Sequence, residues 1–242
     1  MDAACEKGTA LITGGAKRIG RALALLLAGK GYRVVLHCHQ SLPEAELLAE
    51  TIRRMKVECH VFTADLNSDK DVNELIPQVF SRFSDFCVLV NNASIFERAR
   101  LLETDHDLFD RHFNINFKAP FFLSQEFARR CDQGHIINML DTKIARTVVE
   151  YFAYTLTKKA LFEFTRMAAK ELAPRIRVNA VCPGLILPPR GEDEEYLIRC
   201  GERIPLRRKG SVENVTAAVS YLLDNDFVTG ECLFADGGEH LK

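Results

Sequence analysis

A chain of 242 residues with 32 Lys and Arg against 33 Asp and Glu, a formal net charge of −1, is long enough to bury a sizeable core and carries neither the basic footprint of a nucleic-acid binder nor an acidic tail. Its eight cysteines (Cys5, Cys38, Cys59, Cys87, Cys131, Cys182, Cys200 and Cys232) are scattered without a Cys-x-x-Cys pair, which reads as free thiols in a reducing compartment rather than a disulfide framework. The start, Met1 to Lys7, has no basic segment leading into an apolar run, and the longest apolar helix-like run, Ala22 to Ala28, is too short to span a bilayer. The expectation is a cytoplasmic protein that acts on a small molecule, with no nucleic-acid or membrane partner.

Residues 9–13 form an apolar run bounded by glycines, and from Ile19 the pattern turns helical through Leu23, Leu26 and Leu27. With a second strand at 32–37 this is a βαβ unit. A helix over 43–55 has Pro43 in its first turn, a strand follows at 57–63, and Ser68-x-x-Asp71 reads as a capping box for a helix reaching about Phe83. Strand 86–90 comes next, and Thr104-x-x-Asp107 reads as a second box opening a long helix to about Arg130, bent near Pro120. Strand 135–140, helix 152–172 stopped by Pro174, and strand 176–181 follow. Leu185 to Cys200 is polar, proline-bearing and acidic, the profile of a mobile loop or lid, and helix 212–224 and strand 232–235 close the chain.

Seven strands alternating with helices, each strand a continuous apolar run, predict one α/β domain over 1–242 with a doubly wound parallel sheet of the Rossmann type. The cofactor-binding part falls at about 8–140 and the catalytic and lid part at about 141–242. A ligand belongs beyond the carboxyl ends of the strands. The first strand-to-helix turn, Thr13-Gly14-Gly15-Ala16-Lys17-Arg18-Ile19-Gly20, is placed to cradle a phosphate on backbone N–H groups. Near the other end, Tyr154 and Lys158 stand one helical turn apart, and a cation there is expected to favour the phenolate and pull the tyrosine pKa below its usual value of about 10. His37 and His39 share a strand face without a third ligand, so no metal site is expected.

The phosphate turn resembles the Thr-Gly-x-x-x-Gly-x-Gly turn of short-chain dehydrogenases/reductases, with Arg18 at the middle glycine, as in the pteridine reductases of that family. The resemblance covers nearly the whole chain. It implies NADPH as cofactor, held by Gly14, Lys17, Arg18, Ile19 and Gly20. His39, Gln40 and Ser41 end the second strand without the carboxylate that would repel a 2′-phosphate. Pteridine reductases tend to carry arginine at the position of Gln40, so a weaker preference for NADPH over NADH is expected. Asp65 and Leu66 match the adenine contact, with an ordinary strand-end turn as the competing reading. Asn92, Ala93 and Ser94, within Asn91-Asn92-Ala93-Ser94, match the family's cofactor-binding Asn-Asn-Ala-Gly with serine in place of glycine, and later Pro183 and Gly184 match the turn beside the nicotinamide.

Phe96, two positions after Ser94, matches the ring expected to stack on a pterin, with core packing as the alternative. Asn116 matches the family asparagine that holds a water in a proton relay, with Asn114 as a nearby competitor. Asp141, thirteen residues before Tyr154, replaces the family serine, and an acid there suits proton delivery to a ring nitrogen. Tyr151 either lines the substrate pocket or packs, and the sequence leaves both open.

The resemblance thus implies a pteridine reductase with Asp141, Tyr154, Lys158 and Asn116 as catalytic residues, Lys158 also reaching the nicotinamide ribose. Arg18, Ser94, Phe96, Asp141 and Tyr154 would touch a dihydropterin or dihydrofolate. The rivals are a carbonyl reductase acting on a 3-oxoacyl thioester or other ketone, against which Asp141 counts, and a non-catalytic NADPH-binding protein, against which the intact Asn116, Tyr154 and Lys158 count. Apolar residues on more than one face of helices 104–130 and 152–172, among them Phe122 and Met167, fit the homotetramer expected of the family.

Overall fold

The computed structural model describes residues 7–188 and 193–241. Seven parallel strands, β1 (Thr9–Ile12), β2 (Arg33–Cys38), β3 (Cys59–Thr63), β4 (Phe86–Asn91), β5 (Gly134–Met139), β6 (Ile176–Pro183) and β7 (Cys232–Ala235), form a single sheet in the order β3-β2-β1-β4-β5-β6-β7. The order reverses between β1 and β4, and a crevice opens there beyond the carboxyl ends of the strands.

Both faces of the sheet are covered, which is why the strands read as largely apolar runs without a polar alternation. On β1, Ala10 and Ile12 face one core with α1 (Arg18–Gly29), α2 (Leu42–Arg54) and α8 (Val212–Asp224); Leu11 between them faces the other. That second core holds α3 (Asp69–Arg82), α5 (Ala119–Arg130) and α6 (Phe152–Leu172), where Phe86 and Phe127 meet edge to face at 4.9 Å between ring centres. The same alternation recurs at Val34, Val35 and Leu36 on β2.

Four local expectations are corrected. The segment after β4 is not opened by a Thr104–Asp107 box: Asp105 caps α4 (His106–Phe113) by accepting from Leu108 N–H at 2.8 Å, and Thr104 instead donates to Arg100 O. The long helix is not bent by Pro120, which sits in the first turn of α5; the break is a π-helical turn over Asn114–Lys118. The span read as a lid contains a helix, α7 (Glu194–Gly201), capped by Asp193, which accepts from Tyr196 N–H at 3.0 Å; residues 189–192 of that span lie outside the described residues. At Ser68 the cap is made to Asp71 N–H, but the Asp71 carboxylate turns to Asp65 N–H at 2.8 Å and to the Ser68 hydroxyl. Among the described residues, no helix is long and apolar enough to cross a membrane.

Candidate active site

The crevice is a cleft of about 720 Å³ lined by the turns that follow β1 and β4, the carboxyl ends of β2, β5 and β6, the first turn of α1, the N-terminal part of α6, and α7. Its phosphate end is built by close approach of backbones. Gly14 has φ +62°, and a Cβ there would stand 3.0 Å from Ala93 Cα; a Cβ on Gly20 would stand 2.1 Å from Gly14 O. Only glycine lets the turn pass this close to β4 and to itself. Thr13 ties the two strand ends together, its hydroxyl accepting from Asn92 N–H and Ala93 N–H at 2.9 and 3.0 Å. Helix α1 begins with no acidic residue in its first turn and no side-chain cap, so its N-terminal N–H groups and dipole face the cleft and suit an anion.

Arg18 has φ +52°, a left-handed conformation that costs a non-glycine residue free energy. Its guanidinium crosses the cleft to donate to Pro188 O at 2.9 Å. Lys17 pairs with Glu44 at 2.7 Å on the half-exposed rim. His37 is buried with its roles fixed by its partners: Nδ1 accepts from Gly14 N–H at 3.1 Å and Nε2 donates to Ala64 O at 3.1 Å. Burial pushes its pKa down to about 4, so it is a neutral strut of the phosphate turn. His39 and Asp65 border the cleft 3.8 Å apart, with Leu66 beside them, while Gln40 and Ser41 fall outside the lining.

The polar centre lies at the end of β5. Asp141 caps the short 3₁₀ turn Thr142–Ala145, as an N-cap aspartate does: Oδ1 accepts from Lys143 N–H at 2.8 Å. Its other oxygen, Oδ2, accepts from the Tyr154 hydroxyl at 2.8 Å. The expectation of a depressed Tyr154 pKa is overturned. Burial and then the Asp141 carboxylate hold the phenol well above its usual range, and the phenol is therefore protonated at neutral pH. Lys158 does share the Tyr154 face of α6, but its ammonium donates to Met139 O at 2.8 Å and lies 5.7 Å from the Tyr154 ring centre. Burial brings the Lys158 pKa down to about 8.

The apolar wall is aromatic. Phe96 borders the cleft, stacked on Tyr151 with ring centres 4.2 Å apart and planes 12° from parallel, and meets Tyr154 edge to face at 4.6 Å. Tyr151 is thus a lining residue, and Phe96 belongs to the site rather than to the core. Pro183, Gly184, Ala93 and Ser94 line the cleft as well. Asn116 does not: buried in the π-helical turn, it accepts from Ile95 N–H at 2.9 Å and from the Ser94 hydroxyl at 3.1 Å, and donates to Ile95 O at 3.0 Å. It shapes the loop behind the wall. Asn114 points away, donating to Asn67 at 3.0 Å.

Four lining residues carried no signal in the sequence. Lys143 stands two residues past Asp141 in a turn without a motif. Arg146 and Glu239 meet at 2.9 Å across 93 residues of chain, and Glu239 also accepts from Leu185 N–H at 3.2 Å. Arg203 reaches the cleft from just beyond α7.

A family model described as enoyl-(acyl carrier protein) reductase matches residues 14–240. Pteridine reductase 1 of Leishmania tarentolae is 35% identical, over 96% of this chain and 96% of its own length. A 3-oxoacyl-(acyl-carrier-protein) reductase of Staphylococcus epidermidis is 32% identical, over 96% of this chain and 99% of its own. Among solved structures, FolM alternative dihydrofolate reductase 1 from Brucella suis in complex with NADP superposes with a TM-score of 0.93 at 36% identity, covering 100% of this chain and 97% of that one.

Proposed function

The chain belongs to the short-chain dehydrogenase/reductase family, and we propose that it is an NADPH-dependent reductase of a pteridine, a dihydropterin or a dihydrofolate. The observation that carries the substrate class is the 2.8 Å hydrogen bond between Tyr154 and Asp141. An acid paired with a phenol is suited to deliver a proton to a ring nitrogen, whereas a serine hydroxyl at that place is suited to polarise a carbonyl. The names of the Leishmania and Brucella relatives support the same class.

The residues present fit the cofactor. Gly14 and Gly20 leave the space a side chain would fill, the α1 N-terminus lacks an acid, and β2 ends without a carboxylate, which suits a pyrophosphate and a 2′-phosphate. Arg18 and the α1 N-terminus would hold the phosphates, His39 would stand at the 2′-phosphate, and Lys158 would reach the nicotinamide ribose. When bound, NADPH supplies the hydride. Everything else falls to side chains of this chain. Phe96 offers a flat face to a heterocycle. Arg18 and Ser94 are within the same cleft and would orient the polar edge of the ring. Tyr154 keeps a proton at its hydroxyl because burial and Asp141 oppose its loss, and Asp141 aims that hydroxyl. Holding these groups together supplies much of the rate.

The exposed faces of Phe122, Leu156 and Met167 on α5 and α6 support a homotetramer built through these helices. A carbonyl-reductase reading has the staphylococcal relative in its favour and Asp141 against it. The test is one panel of dihydropterins, folates, 3-oxoacyl thioesters and simple ketones, assayed with NADPH and with NADH. Turnover of the pteridines with NADPH is the expected result. Ketone turnover without pteridine turnover overturns the substrate class, and equal efficiency with NADH overturns the cofactor.

A further inference from the structure

Lys143 is one of the four charged cleft residues that no sequence motif marks. Its backbone N–H donates to Asp141 Oδ1 at 2.8 Å, and its own ammonium stands 3.4 Å from that same oxygen. The ammonium is also 5.2 Å from the Phe96 ring centre and 5.8 Å from that of Tyr151, although those two rings are only 4.2 Å apart. A cation on the outer face of the stack would be near one ring and far from the other. Being nearly equidistant, it sits beside the pair and bridges the aromatic wall to the carboxylate.

Exposed ion pairs hold their partners weakly. This one is sheltered, with 21% of the Lys143 side chain and 15% of the Asp141 side chain exposed, and the oxygen it binds is already fixed by a backbone donor. Of the other carboxylates in the cleft, Glu239 is taken by Arg146 and Leu185 N–H, and Asp65 stands 3.8 Å from His39.

We infer that Lys143 is a positioning residue that pins Oδ1 of Asp141 so that Oδ2 is presented to the Tyr154 hydroxyl, and that locks this acid to the Phe96–Tyr151 wall. The inference rests on the reading of Asp141 and Tyr154 as the proton-delivering pair. Because Lys143 reaches both the acid and the ring stack, it couples the seating of a flat substrate to the aim of the proton donor. Other charged or titratable groups face the pair: Lys158 from α6, the Cys182 thiol from β6, and His112 from α4, whose ring centre is 6.4 Å from that of Tyr154. These are common to wild type and variants, so they cancel in a comparison at Lys143.

The experiment compares Lys143→Met and Lys143→Arg with wild type, using dihydrobiopterin and NADPH. Lys143→Met is expected to lower kcat by about tenfold or more, as a displaced catalytic group does, with the Kd for NADPH unchanged and Lys143→Arg recovering most of the loss. Carboxyl-carbon NMR of aspartate-labelled protein, with the Asp141 signal identified by its loss in Asp141→Asn, gives a readout that needs no substrate. At a fixed pH, removing the cation is expected to shift the Asp141 carboxyl signal in Lys143→Met and to leave it in place in Lys143→Arg. An unmoved signal, or an unchanged kcat with only the dihydropterin KM raised, overturns the inference. If wild type turns over no pteridine, the proposed substrate class fails, and the NMR comparison still decides the role of Lys143.

Discussion

Tyr154 donates its hydroxyl to Asp141 Oδ2 at 2.8 Å across thirteen residues of chain, so that the phenol and the carboxylate are held by the first turn of α6 and the end of β5. Two rigid elements fix the geometry, and burial keeps the phenol protonated. Replacing Asp141 by serine keeps a hydrogen-bonding partner for Tyr154 and removes the acid. The expected outcome is a fall in kcat on a dihydropterin of roughly a hundredfold, the scale of impaired general acid–base catalysis, with NADPH affinity retained. Steady-state kinetics check it, and unchanged pteridine turnover would show that the acid has no part in the reaction.

Phe96 is 36% exposed and presents its ring to the cleft, backed by Tyr151 at 4.2 Å. Phe96→Ala removes one plate of the wall without opening the core, since the residue does not belong to either main apolar cluster. The expected result is a rise of about tenfold in the KM of the pteridine, matching the loss of an aromatic stack worth on the order of 1 kcal/mol together with its buried area. The Kd for NADPH, followed by its fluorescence, stays within a factor of about two on the same reasoning. Equal losses in both would mean that the ring supports the cofactor loop instead.

The sheet and the glycine turn were legible because their causes are local in sequence. Parallel strands covered on both faces are apolar at most positions, as Ala10, Leu11 and Ile12 are, and a turn whose carbonyl would stand 2.1 Å from a Cβ on Gly20 must keep that glycine. What escaped depends on tertiary partners. Asn114–Lys118 has an ordinary helical composition, and its π turn is held where Asn116 takes both the N–H and the carbonyl of Ile95. Helix α7 hides in an acidic stretch because one cap, Asp193, and one buried side chain, Leu197, suffice for eight residues. The direction of the Tyr154 pKa was misread for a related reason. Spacing displays Lys158, but it does not display the depth of burial or the Asp141 hydrogen bond that outweigh it.

Lys158 gives the site an alkaline limit. Its usual pKa of 10.5 is brought down to about 8 by burial, partly offset by Asp141. The ammonium is therefore present below about pH 8 and lost above it, whereas an exposed lysine stays charged to above pH 10. A profile of kcat/KM against pH, which reports groups of the free enzyme, is expected to fall on the alkaline side near pH 8. Tyr154, held well above 10, cannot be the source of that limb. Lys158→Arg keeps the charge throughout the range, and in that variant any remaining activity should lose the limb. A limb that stays near pH 8 in Lys158→Arg would assign it to another group.

His37 gives the fold an acid limit at the same turn that cradles the phosphate. In the unfolded chain it titrates near its usual value of 6.5, and in the folded chain at about 4, because protonation would leave both ring nitrogens as donors with Gly14 N–H facing one of them. Between those values the unfolded state binds more protons, so stability is complete above about pH 6.5 and is lost as pH falls toward 4, by on the order of 3 kcal/mol for this one buried group. His135, lowered to about 3 by burial and then by Arg177, adds a second loss of the same sign. In His37→Asn the amide carbonyl can still accept from Gly14 N–H, and the amide has no proton to gain. Urea unfolding of wild type and His37→Asn at pH 7 and pH 5 is the check. Wild type should lose more stability between the two than the variant, and equal losses would mean that His37 is not the group that acid reaches first.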